Sequence, residues 1–278
     1  MSKASKIMRL VLLQLKDFKD KAANVQNAVS KIEAAVKEHS PRLITLPEYF
    51  NSPFPVHSES IPDGSTSQQL SSLAKKHQIY IVGGTIPELG ENDAIYNTCT
   101  VWSPTGELVA KHRKMHLFDV DIKGGIRYKE SETFSAGNDF TIIDIDGHRI
   151  GIGICYDIRF EEMARLYRNA GCEMIIYPAS FNMTTGPLHW ELLQRARAND
   201  NQLFVVTNSL ARDPSAGYVA FGHSMVVDPW SKVQQTARTG EETVVADIDF
   251  SLVEQVRQQI PVFAQRRLDL YATEWKTK

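Results

Sequence analysis

Cysteine is scarce in this sequence. Cys99, Cys155 and Cys172 are the only three in 278 residues, and no Cys-x-x-Cys pair occurs. Three thiols so spaced make neither a disulfide framework nor a zinc ribbon, and they read as free thiols of a reducing compartment. Long apolar runs are missing too. No stretch approaches the roughly 20 residues that span a bilayer, and the opening MSKASKIMRLVLLQL lacks an extended apolar region followed by a small-residue cleavage site. Neither membrane insertion nor secretion is therefore expected. Charge of one sign is not in excess: 31 Lys and Arg against 33 Asp and Glu leave a net charge of −2, with no electrostatic pull toward nucleic acid or an anionic membrane. Linkers, low-complexity tracts and internal repeats are absent. A cytoplasmic globular protein is left, with a mitochondrial fraction compatible, and one domain over 1–278 with a sizeable core.

What is present is an alternation of apolar runs and helical spacing. IMRLVLLQL (7–15) reads as a strand, and Val25, Ala28, Val29, Ile32, Ala35 and Val36 then recur at helical intervals before the strand RLITL. TSQQLSSLAKKH reads as a helix with a serine/threonine cap and a basic end. IYIVGGTI follows as a strand. IYNTCTVW and LVAKH flank the turn SPTGE, and FTIIDIDGHRIGIGI repeats that hairpin plan around Asp-Gly. The second half runs RFEEMARLYRNAG (helix), EMIIYPA (strand), LHWELLQRARAND (helix), LFVVTNSL, HSMVVD and TVVADID (strands), and a last helix near 250–259. Helices interleaved with strands and hairpins predict an α/β domain with mixed sheets covered by helices. Residues 260–278 lie past that helix and read as a tail, either frayed or docked on a partner subunit.

Four polar residues fall at or beside strand ends, where α/β proteins place chemistry. Glu48 follows RLITLP, where proline keeps the chain extended. Lys114 ends LVAKHRK, Cys155 ends HRIGIGI, and Glu130 sits in the loop GGIRYKESETFSAG. Singly, each has a plain structural explanation: a turn glutamate, a solvated basic face, a loop acid, a small buried hydrophobe. Together they supply acyl-transfer chemistry. A thiol of ordinary pKa near 8.5 is only slightly ionised at neutral pH. A carboxylate can take its proton, and an ammonium can favour the thiolate and hold the oxyanion beside a backbone N–H at a helix start. His112 and His116 stand four apart but in a strand-to-loop segment without a third ligand, so no metal is expected.

LPEYF around Glu48, HRKMHLFD around Lys114 and GICYDIRF around Cys155, in that order, resemble the three signatures of the nitrilase superfamily of carbon–nitrogen hydrolases. The resemblance runs from about residue 9 to 271. It implies a four-layer αββα sandwich, two central mixed β-sheets flanked by helices, assembled as a homodimer or larger oligomer. It also implies a Glu48–Lys114–Cys155 triad with Glu130 as second glutamate, and no cofactor. FNSPF, HLFDVDI, FNMTTGPLHWELLQRARANDNQ and YVAFGHSMVVDPW are similar to the omega-amidase branch. That branch hydrolyses the terminal amide of 2-oxoglutaramate or 2-oxosuccinamate, the 2-oxo acids derived from glutamine and asparagine. Tyr49 and Phe54 depart from it, since the branch usually has Cys and Tyr at these positions.

The mechanism so implied has Glu48 accept the thiol proton, Cys155 attack the amide carbon, and Lys114 with the Tyr156 backbone N–H hold the oxyanion. A carboxylate at the far end of the substrate calls for a cation, and guanidinium binds it best through a bidentate pair. Arg159 is the candidate, against a salt bridge to Asp157 or Glu162. Phe54, Thr185 and Gly186 are expected to line the pocket, and His189 to face either the pocket or the core. The alternatives are a deaminated glutathione amidase, a non-catalytic binding or scaffold protein of the same fold, and a redox-sensing Cys155.

Overall fold

The computed structural model describes residues 7–276, so the first six residues of the opening stretch and the last two of the tail lie outside it. The chain enters through β1 (Ile7–Gln14) and helix α1 (Lys21–His39), whose Asp20 side chain accepts the Ala23 N–H at 2.8 Å as N-cap. Then come β2 (Leu43–Thr45), α2 (Ser65–His77), β3 (Tyr80–Leu89), β4 (Ile95–Trp102) and β5 (Leu108–Arg113). A small hairpin, β6 (Asp119–Asp121) and β7 (Arg127–Lys129), precedes β8 (Thr141–Ile145) and β9 (His148–Ile152). The rest is α3 (Glu161–Asn169), β10 (Met174–Ala179), α4 (Gly186–Asn201), β11 (Phe204–Ser209), β12 (Met225–Val227), β13 (Val233–Thr236), β14 (Glu242–Asp249) and α5 (Ser251–Gln259).

Two six-stranded mixed sheets result, ordered β14-β1-β2-β3-β4-β5 and β13-β12-β11-β10-β9-β8. In each, a parallel trio (β1-β2-β3; β9-β10-β11) sits among antiparallel neighbours. Alternation along β1 shows how the layers stack, because successive strand side chains point to opposite faces. Leu10 and Leu12 join Leu43, Val82 and Val101 in one core with Ile145, Ile150 and Ile152 of the other sheet. Val11 and Leu13 join Ala28, Ile32 and Ala35 of α1 and Leu70 and Leu73 of α2. With Tyr167 of α3 and Trp190 and Ala198 of α4 packed with the second sheet, the fold is the αββα sandwich. Each fully buried Leu or Ile contributes about 1.5–3 kcal/mol.

Several local expectations change. α2 starts after Gly64, which has no side chain to cap it; Glu59 takes the Thr66 N–H instead, at 2.8 Å. β6–β7 was not expected because its residues are mostly charged, and β13 because VQQT carries little apolar signal. Cys155 does not end its strand: β9 stops at Ile152, and Cys155 opens a short 3-10 turn over Cys155–Arg159 before α3. The tail folds partly onto its own chain, with Trp275 5.5 Å from the Phe140 ring and Phe263 beneath the Arg168 guanidinium.

Candidate active site

The glycines of GIGIC make room for aromatic rings under the strand that leads to Cys155. A Cβ at Gly151 would lie 2.6 Å from the Tyr167 ring, and one at Gly153 2.4 Å from Tyr177. The chain then turns sharply, and Cys155 takes a left-handed φ of 43°. For a residue with a Cβ that conformation costs about 1–3 kcal/mol, which surrounding structure must impose. Asp157 supplies the restraint. Fully buried, it accepts the Ile154 N–H at 2.8 Å and the His116 N–H at 3.0 Å, and pairs with His116 Nδ1 at 2.7 Å and His112 Nε2 at 3.6 Å. Burial works to raise the Asp157 pKa, but these partners outweigh it and hold the carboxyl below the usual range. The histidine pair therefore braces the nucleophile turn. Among the described residues no group of three or more His, Cys, Asp and Glu could hold a metal.

Glu48 is set by a close strand crossing. Gly84 (φ +57°) has its Cα so near the Pro47 carbonyl that a Cβ would sit 2.2 Å from that oxygen, and the Thr85 N–H donates to the Pro47 carbonyl at 3.1 Å. The next residue, Tyr49, is also left-handed at φ 55° and is tied by its N–H to Thr85 Oγ1 at 2.8 Å. Lys114 follows β5, with its N–H on the Asn97 carbonyl at 2.9 Å. The β6–β7 hairpin delivers Glu130: its N–H donates to the Phe118 carbonyl at 3.3 Å, and its Oε2 accepts the Phe118 N–H at 2.7 Å.

These elements bring all four expected residues together. Lys114 Nζ lies 2.9 Å from Glu48 Oε1 and 2.8 Å from Glu130 Oε2. Asn97 Nδ2 donates to the Oε1 atoms of Glu48 and Glu130, at 2.9 and 3.1 Å, and the Tyr49 hydroxyl donates to Glu130 Oε1 at 2.9 Å. The Ser180 N–H points at the Cys155 sulfur from 3.5 Å, and Glu48 and Lys114 both act on the charge of this thiol. All four side chains are buried.

Burial drives the electrostatics and the partners correct it. Burial raises the Glu48 pKa; Lys114 opposes this, Glu130 adds to it, and the balance is upward. For Glu130 burial is outweighed by Lys114 and by the N–H groups of Phe118 and Asn97, so its carboxyl stays below the ordinary value. Burial works to lower the Lys114 pKa, but Glu130 and then Glu48 outweigh it and hold the ammonium well above its usual range. Burial, then the Glu48 charge, push the Cys155 thiol well up against the pull of Lys114. Lys114 thus pulls toward the thiolate, as expected, but burial and the Glu48 charge outweigh it, and the thiol rests protonated.

A cavity of about 740 Å³ opens onto this cluster, lined among others by Glu48, Lys114, Glu130, Cys155, Tyr128 and Tyr218 and, toward its mouth, by Phe54 and Leu210. Phe54 is 55% exposed, edge-on to His57 at 6.3 Å. Arg159, half-buried, lies 4.8 Å above the Phe181 ring and 3.1 Å from His189 Nδ1. No carboxylate pairs with it among the described residues, so the expected alternative, a bridge to Asp157 or Glu162, is not formed. Burial lowers its pKa. The Tyr156 ring packs between Phe118 and Phe160 at 5.1 and 5.4 Å, leaving only its backbone for the oxyanion. Of the expected pocket residues, Phe54 lines this cavity, and Arg159, Tyr156, Thr185 and Gly186 are not in its lining. The Thr185 N–H caps onto Asn182 Oδ1 at 3.0 Å, and Gly186 meets the Phe221 ring, 2.4 Å from where a Cβ would stand. Sequence reasoning missed the roles of Asn97, Ser180 and the Tyr49 hydroxyl; Asn97, polar inside a strand, and Tyr49, a departure from the branch pattern, each carried a signal.

Comparison with known proteins agrees with this geometry. The profile of the carbon–nitrogen hydrolase family matches residues 9–258. The omega-amidases NIT2 of Bos taurus and of Homo sapiens are each 50% identical over 273 residues, covering 96% of this chain and 98% of theirs. Saccharomyces cerevisiae Nit3, a member of branch 10 of the nitrilase superfamily, superposes with a TM-score of 0.87 at 45% identity, over 95% of this chain and 98% of its own. The C. elegans NitFhit protein gives 0.88 at 32% identity, over 97% of this chain and 67% of its own.

Proposed function

This chain belongs to the carbon–nitrogen hydrolase family and hydrolyses amide carbon–nitrogen bonds, and from that premise we propose that it is an omega-amidase acting on 2-oxoglutaramate or 2-oxosuccinamate. The observation that carries this is the 50% identity to omega-amidases over nearly the whole of both chains. Arg159 supports it as a guanidinium beside the nucleophile turn without a carboxylate partner, suited to the distal carboxylate of such a substrate.

Glu48 takes the Cys155 proton as sulfur attacks the amide carbon, because a thiol held protonated needs its base in the same step. Charge gathers on the carbonyl oxygen, which Lys114 Nζ and the Tyr156 N–H stabilise. Glu130 keeps Lys114 charged and in place. As the tetrahedral adduct collapses, Glu48 returns the proton to nitrogen, ammonia leaves, and a thioester remains. Water, deprotonated by Glu48, then cleaves the thioester and the proton returns to sulfur.

A second reading, deaminated glutathione amidase, draws on the reach of the cavity, which extends past Phe54 to Lys19 and Asp213. Ammonia release from the two substrates side by side decides: preference for 2-oxoglutaramate supports the omega-amidase, and preference for deaminated glutathione replaces it. We also infer a homodimer, supported by Leu188 and Leu192, exposed at 69% and 62% one turn apart on α4, with the exposed Leu268 and Leu270 of the tail able to join it. A cytoplasmic setting accords with three unpaired thiols.

A further inference from the structure

We propose that Asn97 is a positioning residue of this site: one amide nitrogen fixes the spacing of the two carboxylates and aims Glu48 at the Cys155 thiol. This rests on the acyl-transfer reading above. Three observations meet on this one residue of β4. Its Nδ2 donates to Glu48 Oε1 and Glu130 Oε1, at 2.9 and 3.1 Å. Its carbonyl holds the Lys114 N–H at 2.9 Å, which fixes the start of the Lys114 side chain. And it is fully buried, with Oδ1 left without a hydrogen-bond partner among the described residues.

The amide orientation follows from chemistry, since only the NH2 end can face two carboxylates. A buried carbonyl without a donor is costly, so packing alone would favour an apolar side chain here. Lys114 Nζ and Asn97 Nδ2 both engage Glu48 Oε1, which leaves Oε2 as the oxygen for the thiol proton. The donation also favours the charged form of a carboxylate that burial pushes toward neutrality. The ionisable groups around Glu48 are Lys114, Glu130 and Cys155, with the phenols of Tyr49, Tyr128 and Tyr218 at the rim. Among these only Lys114 is a cation, so Asn97 is the second stabiliser of the Glu48 charge.

The test uses Asn97→Ala and Asn97→Ser, the latter a small polar side chain too short to bridge both carboxylates, in case the alanine variant folds poorly. Two readouts are taken against pH: the rate at which iodoacetamide alkylates Cys155, which needs no natural substrate, and kcat and KM for ammonia release. In both variants the acid limb of the alkylation profile should move to higher pH, because the Glu48 carboxylate loses a donor. kcat should fall about 100-fold, the low end of what a displaced general base costs, with KM little changed. An acid limb at the wild-type pH in both variants would overturn the proposal, since a merely structural role lowers the active fraction and leaves the profile in place. If wild type alkylates normally but releases no ammonia from any 2-oxo amide, the substrate reading fails and the Asn97 result still stands.

Discussion

Replacing Lys114 by methionine removes the one cation between two buried carboxylates while keeping much of its length. Glu48 and Glu130 are each within 2.9 Å of that ammonium, so their nearest oxygens are less than about 6 Å apart. At an effective dielectric of about 20, two unit charges at that range repel by roughly 3 kcal/mol. This agrees with the roughly 3–5 kcal/mol lost when a buried ion pair is left half-empty, out of a total stability of about 5–15 kcal/mol. The melting temperature should fall by roughly 6–20 °C, at about 2–4 °C per kcal/mol for a chain of this size. The sign with pH follows from linkage. Without the ammonium, at least one carboxyl has a folded-state pKa raised above its unfolded value. The folded state then binds the extra proton, and stability falls as pH rises through that interval. The deficit relative to wild type should thus be larger at pH 8 than at pH 5.5. Adding Glu130→Gln to Lys114→Met removes the second negative charge and should restore part of the loss while the enzyme stays inactive. Thermal unfolding by circular dichroism reads all three variants. A deficit independent of pH, or a double variant less stable by the simple sum of its parts, would refute the charge reasoning.

Three further outcomes follow from the same geometry. Arg159→Ala should raise KM about 10- to 100-fold for amides carrying a distal carboxylate, the worth of a charge-assisted hydrogen bond, and should leave a neutral amide nearly unaffected; steady-state kinetics on both classes check it. Tyr49→Phe removes one of four donors to the charged Glu130 and should lower kcat by about 10- to 100-fold at most, the worth of one hydrogen bond to a charged group, as read by steady-state kinetics. Asp157→Asn should destabilise the protein most at neutral pH. The folded Asp157 carboxyl is held below its ordinary range, so its contribution is complete above about pH 4 and is lost as pH falls through the folded value. Melting curves of wild type and variant should therefore converge in acid.

The catalytic cluster was legible because its residues sit in ordered motifs: Glu48, Lys114 and Cys155 by three signatures, and Glu130 by the YKESETFSAG loop. What the motifs could not give was the wiring between them. Asn97 reaches the carboxylates across the sheet from a strand that otherwise reads as apolar core, and that relation exists only once β3, β4 and β5 are paired. The same limit hid the state of the thiol. Lys114 does favour the thiolate, but burial and the Glu48 charge outweigh it, and both arise only in the folded chain. Thr185 and Gly186 failed as pocket residues because a turn ahead of a helix looks alike whether it faces a cavity or, as here, Asn182 and Phe221. Tyr49 drew notice as a departure from the branch pattern, and its hydroxyl proves to serve Glu130.

The most direct measurement is the intact mass of the protein quenched in acid during turnover of 2-oxoglutaramate, followed by mapping of the modified peptide, for wild type and Cys155→Ala. The account predicts an acyl adduct on the peptide containing Cys155 in wild type, and neither adduct nor ammonia release in a Cys155→Ala protein that still folds. Hydrolysis that persists in that variant, or an adduct on another residue, would contradict it.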